Sequence, residues 1–242
     1  MNKTICLDFG NTRMKVAVFY EDEIKESGVL SNDGIDDLEK LLLKHTPHQS
    51  IISSVIDHAP GIEHLLARST KFHKLSSASK LPFTIPIGKP ETMGTDRIAL
   101  AAAAVHLSPH KNNLAIGLGS CITFNFINKY HQFLGGSISP GMEMRFKAMN
   151  HYTAKLPLVK AVWNVPLIGY DTATNLQSGV VLGIAKEIEG IIDEYEKRYG
   201  NFNVHLTGGD IAYFEPHFKK QIFAHPDLIF KGLYAISNIN NA

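Results

Sequence analysis

The stretch Asp8-Phe9-Gly10-Asn11-Thr12-Arg13-Met14-Lys15 gathers the chemical functions that a phosphate-binding turn needs. Glycine lets backbone N–H groups approach phosphate oxygens, Asn11 and Thr12 add donors, Lys15 adds positive charge, and Asp8 can hold Mg2+ directly or through water. Together they point to nucleotide phosphates, although a tight hairpin bent at Gly10 uses the same residues. Gly119-Ser120 repeats the pattern with Gly117 in the place of Asp8, so that turn offers N–H groups and a hydroxyl but no carboxylate. A third glycine turn, Thr207-Gly208-Gly209-Asp210, would let the backbone come close to a base or ribose, and is also simply a good turn.

Gly94-Thr95-Asp96-Arg97 is the best candidate for the reaction itself. A carboxylate and a guanidinium stand together at the start of a helix, where the dipole also favours anions. Phosphoryl transfer needs positioning, charge neutralisation and a base for the acceptor hydroxyl, which Asp96 and Arg97 can supply as base and anion clamp. The alternative is that Asp96 only caps the helix.

Alternating strands and helices must position these groups. Strand patterns cover Thr4–Asp8, Met14–Tyr20, Glu23–Gly28 and Ser50–Ile56, with a helical spacing of leucines over Asp33–His45. The alanine-rich run Ile98–Leu107 predicts a closely packed helix. After the polar stretch 108–113 the chain restarts with strands at Leu114–Leu118, Ile122–Asn128 and Phe133–Ser139. A long helix from about Asp171 to Tyr199 carries the stripe Leu176, Val180, Ile184, Ile188, Ile191, Tyr195 and stops at Gly200. ICLDFGNTRMKVAVF lies over AIGLGSCITFNFI with Gly10 on Gly119, an internal duplication that predicts lobes at 1–113 and 114–242.

Composition narrows the classes. With 44% hydrophobic and 19% charged residues the chain is globular, and a formal charge of +1 gives no overall field for nucleic acid or an anionic membrane. No apolar run approaches the ~20 residues of a membrane span. Cys6 and Cys121 read as buried free thiols, which favours a reducing, cytoplasmic setting. The 12 histidines show no zinc spacing.

DFGNTRMK, GTDR, GLGSCIT from Gly117, GGSISPG from Gly135, TATNLQSG from Thr172 and TGGD from Thr207 follow one another in an order that resembles type III pantothenate kinases, the bacterial enzymes that begin coenzyme A synthesis. The resemblance covers nearly the whole chain. It implies the acetate kinase/actin-like α/β fold: two duplicated RNase H-like lobes, mixed central sheets flanked by helices, ATP between them, and a homodimer. It also implies that Asp8 to Lys15 bind ATP phosphates and Ser120 sits at the second phosphate turn. Gly94, Thr95, Asp96 and Arg97 would contact pantothenate with Asp96 as proton acceptor, and Thr172 would reach it from the other subunit. From its own residues alone, Thr172 reads equally as a helix cap.

Two positions depart from the family. Gly117 stands where an aspartate binds a monovalent cation, K+ or NH4+, and Leu114–Asn128 contains no Asp or Glu to replace it. Ile87 stands where a substrate-contacting tyrosine is usual. The missing carboxylate at 117 is the single support for a competing reading, a nucleotide-binding regulatory homologue without kinase activity.

Overall fold

The computed structural model describes residues 2–31, 34–86, 88–218 and 222–241. Two compact units emerge: one comprises Met1–His110, Ile127–Leu134 and Asp227–Ala242, the other Lys111–Phe126 and Gly135–Pro226. In chain order the first unit holds β1 (Lys3–Phe9), β2 (Met14–Tyr20), β3 (Glu23–Val29), α1 (Ile35–His45), β4 (Gln49–Ser54), α2 (Pro60–Ser69), β5 (Lys71–Lys74) and α3 (Thr95–Leu107). There follow β6 (Asn113–Leu118), β7 (Cys121–Ile127), β8 (Phe133–Pro140), α4 (Met142–His151), α5 (Thr172–Tyr199), β9 (Asn203–Gly208), α6 (Ile211–Phe214) and β10 (Phe223–Ala224). The last helix, α7 (Leu228–Asn240), belongs to the first unit, whereas a boundary at 113/114 would assign it to the second.

The first sheet has the order β3-β2-β1-β4-β5, with β1 antiparallel to β2 and parallel to β4. Because side chains alternate across a strand, Ile5, Leu7 and Phe9 share one face with Val16 and Val18 and pack under Leu38, Leu42, Ile62, Leu65 and Leu66 of α1 and α2. The opposite face carries Cys6, Asp8, Ala17 and Phe19. Phe19 stacks on Tyr234 of α7, with centroids 4.7 Å apart. The alanines of α3 are buried because α7 lies against them so closely that a β-carbon at Gly232 would be 1.9 Å from the Ala99 carbonyl oxygen. Small side chains make this contact possible, as the composition of Ile98–Leu107 predicts.

The second sheet runs β10-β9-β6-β7-β8, and read backwards it matches the first strand for strand. β6 takes the place of β1, and β9 pairs parallel to it as β4 pairs with β1. The duplication seen in the residues is therefore also a duplication of topology, and the fold is the expected α/β arrangement. In α5 the buried stripe runs Leu176, Val180, Ile184, Ile188 and then Ile192 in place of Ile191. β4 ends at Ser54 instead of Ile56, because Ser54 turns the chain with hydrogen bonds to Ile56. α1 begins at Ile35, and the expected start at Asp33 lies outside the described residues. Among the described residues no helix is long and apolar enough to cross a membrane.

Candidate active site

Asp8 closes β1. It faces Lys15 across the antiparallel pair and lies in register with Ser53 of β4. The Asp8 carboxyl is raised from its usual 3.8 to about 6: burial pushes it up, Lys15 pulls it down, and the charge of Asp96 adds to the rise. A carboxylate that is ionised at neutral pH against such a penalty gains from a cation beside it. That fits a hard divalent ion carried largely by phosphate oxygens and water, with Asp8 as a protein ligand. The turn from Gly10 to Arg13 closes through Gly10 N–H donating to the Arg13 carbonyl at 3.1 Å, and Asn11, Thr12 and Arg13 are exposed. At Gly10 a β-carbon would meet nothing nearer than that carbonyl at 3.8 Å, so the fold itself does not require glycine there.

The N-terminus of α3 reaches the same sheet face. Thr95 Oγ1 accepts from Ser53 Oγ at 3.0 Å and donates to the Ser54 carbonyl at 3.3 Å, which ties the first turn of α3 to the end of β4. The N-cap is Gly94 and α3 has no side-chain cap, so Asp96 is not a capping residue. A β-carbon at Gly94 would sit 2.5 Å from Asp96 Oδ1, and the glycine leaves room for the carboxylate to fold back over the helix end. The Arg97 guanidinium lies 5.7 Å from the centroid of the Phe133 ring. Asp8 and Asp96 thus face each other's charge across the ends of β1 and α3.

In the second unit the turn at Gly119 and Ser120 is a shorter counterpart of the first: Gly119 N–H donates to the Cys121 carbonyl at 3.1 Å, and a β-carbon there would also be tolerated. Gly117 pairs with Thr207 in the β6–β9 ladder. The double glycine of the third turn divides its work. Gly208 has φ +121° and its missing β-carbon would lie 2.0 Å from the Leu118 carbonyl oxygen, so packing fixes it, whereas Gly209 faces open space.

Gly141, the last residue of the GGSISPG motif, holds the second turn. Its N–H donates to the Ser120 carbonyl at 3.0 Å, and a β-carbon would come within 2.2 Å of the Gly119 carbonyl oxygen. Arg145 keeps this junction in place by donating to the Pro140 carbonyl at 2.9 Å while pairing with Glu187 of α5. Ser53 and Ser54 were missed; the only sequence signal is their place at the end of an apolar strand.

Thr172 opens α5, but Asp171 is the cap and forms a capping box with Thr174: Thr174 N–H donates to Asp171 Oδ1 at 2.8 Å, and Asp171 N–H donates to Thr174 Oγ1 at 3.1 Å. The capping reading of Thr172 is therefore corrected. Instead Thr172 lines an open cavity of about 370 Å³ with Met149, Leu156, Asn175, Leu176, Gly179 and Val180. The preceding segment exposes Tyr152, Leu167, Ile168 and Tyr170, each at 82%. Ile87 lies outside the described residues.

A family model described as type III pantothenate kinase matches residues 4–194. The type III pantothenate kinase of Cytophaga hutchinsonii is 42% identical over 236 residues, covering 98% of this chain and 99% of the relative. Two solved structures share the fold at low identity. One is described as a Baf family transcriptional activator from Campylobacter jejuni (22% identical, TM-score 0.64, 98% of each chain). The other is the activator of 2-hydroxyisocaproyl-CoA dehydratase from Clostridium difficile, solved with ADPNP (12% identical, TM-score 0.53, 99% of this chain and 94% of that one).

Proposed function

The chain belongs to the type III pantothenate kinase family and phosphorylates pantothenate at the expense of ATP, and we propose that it does so with Asp96 as the base that accepts the proton of the substrate hydroxyl. The observation that carries this assignment is the pair formed by Asp8 and Asp96, two carboxylates brought to one sheet face by β1 and α3. Their environments differ: Asp8 is buried and Asp96 is half-buried at the mouth of the helix. Asp8 suits a metal-bound phosphate, and Asp96, free of capping duty, suits the acceptor hydroxyl.

The remaining roles follow from position. Gly10, Asn11, Thr12 and Lys15, with Phe9, Arg13 and Met14 as the frame of the turn, hold ATP phosphates. Ser120 offers a second phosphate contact through its hydroxyl. Mg2+, held by Asp8, neutralises phosphate charge when bound. Gly94, Thr95 and Arg97 bind pantothenate, with N–H groups of the α3 terminus and the Arg97 guanidinium taking its anionic end. The exposed apolar segment before α5 supports a homodimer, since patches of this kind on a folded unit mark contact surfaces. Thr172, at the margin of that segment, reaches the pantothenate of the partner subunit. The cation site at Gly117 lacks a carboxylate, so dependence on K+ or NH4+ is weak. Two free cysteines, one of them buried, suit a reducing cytoplasm.

Formation of phosphopantothenate from ATP and pantothenate by Asp96→Asn tests the assignment. Loss of a general base costs ~10²–10⁴ in rate while nucleotide affinity stays near wild type. Turnover close to that of the unaltered protein would remove Asp96 from the role.

A further inference from the structure

Behind Thr95 the first unit contains a chain of polar side chains that none of these roles uses. Lys74 Nζ lies 2.7 Å from Glu63 Oε1, the same oxygen lies 2.9 Å from His58 Nε2, and His58 Nδ1 lies 3.1 Å from Ser54 Oγ. The imidazole is 7% exposed and stands edge-on to Phe9, with centroids 5.3 Å apart. Ser54 closes the turn after β4: its hydroxyl donates to the Ile56 carbonyl at 2.7 Å and accepts from Ile56 N–H at 3.3 Å. Its own carbonyl accepts from Thr95 Oγ1. A line of contacts therefore runs from β5 and α2 through His58 to the residue next to Asp96.

A serine alone can close such a turn with its hydroxyl. Burying an imidazole is costly unless its nitrogens are paired, and here both are, one of them to the half-buried Glu63 carboxylate. Lys74, and next to it His58, hold the Glu63 carboxyl below the usual carboxylate range, so it is an acceptor and His58 Nε2 carries hydrogen. Nδ1 faces the Ser54 hydroxyl and, at 3.4 Å, the Ile56 carbonyl. The ring is thus fixed from both sides, as histidines oriented by carboxylates are.

We propose that His58 is a positioning residue for phosphoryl transfer: it fixes the 54–56 turn, and through the Ser54 carbonyl and Thr95 hydroxyl it holds the first turn of α3 so that Asp96 meets the acceptor hydroxyl. The proposal rests on the reading of Asp96 as base. A displacement of about 1 Å at a reacting group costs ~10²-fold in rate, so a turn that loses its lock lowers kcat.

The test compares full-length His58→Ala, His58→Gln and Glu63→Gln for kcat, KM for each substrate and thermal midpoint. His58→Ala is expected to lose about 10- to 100-fold in kcat while KM for ATP stays within about twofold. His58→Gln, which again presents one donor and one acceptor, recovers most of the loss, and Glu63→Gln falls between. Wild-type kcat in His58→Ala overturns the proposal, as does a glutamine no better than alanine or a loss that only follows the folded fraction. Should His58→Ala not fold, unchanged kcat in Glu63→Gln overturns it equally. Activity in Asp96→Asn would sink the base assignment whatever His58 does, whereas an inactive Asp96→Asn beside an unimpaired His58→Ala removes the positioning role alone.

Discussion

Asp8 lies near the end of β1 and Asp96 in the first turn of α3, and the negative charge of the second adds to the rise in the pKa of the first. Chain segments distant in sequence are thereby coupled electrostatically at the proposed meeting place of phosphate and acceptor. The sheet supplies one carboxylate and the helix the other, and Ser53 and Thr95 join the two by a side-chain hydrogen bond of 3.0 Å.

The strain on Asp8 has a sign. Its folded pKa of about 6 exceeds its usual 3.8, so the folded protein binds this proton more tightly than the unfolded chain does. Ionised Asp8 therefore costs stability, fully above about pH 6 and not at all below about pH 4. Asp8→Asn is expected to gain ~1–3 kcal/mol at pH 8, the gain vanishing near pH 4, while use of Mg-ATP collapses. Denaturant midpoints at the two pH values check it; an equal effect at both would mean that Asp8 is not strained.

Glycines that look alike in the sequence differ in what demands them. Gly10→Ala should keep its thermal midpoint within a few degrees, because the turn has room for a β-carbon, yet raise KM for ATP. Gly141→Ala should cost ~2–4 kcal/mol of stability or force the second turn open, since its β-carbon meets two carbonyl oxygens. Thermal melts paired with ATP titrations separate the cases; a Gly10→Ala protein with unaltered ATP kinetics would make that residue an ordinary turn glycine.

At Gly117 the expectation concerns cations. K+ is strongly hydrated and weakly attracted, and a site without a carboxylate has only carbonyls and water to offer. Rates in Na+, K+ and NH4+ should agree within a few-fold for the unaltered protein, and Gly117→Asp should create a clear K+ preference. Strict K+ dependence of the unaltered protein would show that the carboxylate was never the essential ligand.

If Thr172 serves the partner's site, Asp96→Asn and Thr172→Ala proteins, each inactive or nearly so, complement one another. A mixed dimer has one site with both residues intact, so random exchange restores about a quarter of the wild-type activity. Mixing after mild dissociation, with activity followed over time, makes the measurement. Failure of the mixture to exceed its components, with exchange verified by size and mass, would place Thr172 outside the active site.

Local chemistry was legible where it is written in consecutive residues. Asp8 to Lys15 and Gly94 to Arg97 stand out as candidates because each motif is built from neighbours, and the repeat because both copies kept the strand, glycine turn, strand pattern. The helix α7 escaped, although its hydrophobic stripe is plain, because nothing in that stripe says which sheet it covers. Ser54, His58 and Glu63 escaped for another reason: spacings of four and five residues across a turn and a helix start acquire meaning only when β4 and α2 fix the direction of each side chain. Gly141 is defined by carbonyl groups of a strand turn some twenty residues earlier, a contact that no local pattern encodes.

The late arrival of α7 has a temporal side. Residues 227–241 cover a face of the sheet made from the first 110 residues, and the stretch 111–226 is synthesised in between. At roughly 5–20 residues per second, the nascent first unit waits on the order of ten seconds with Phe19 and the alanine helix uncovered. Released chains ending before Asp227 should accordingly leave this face of the first sheet open to protease and to a holdase.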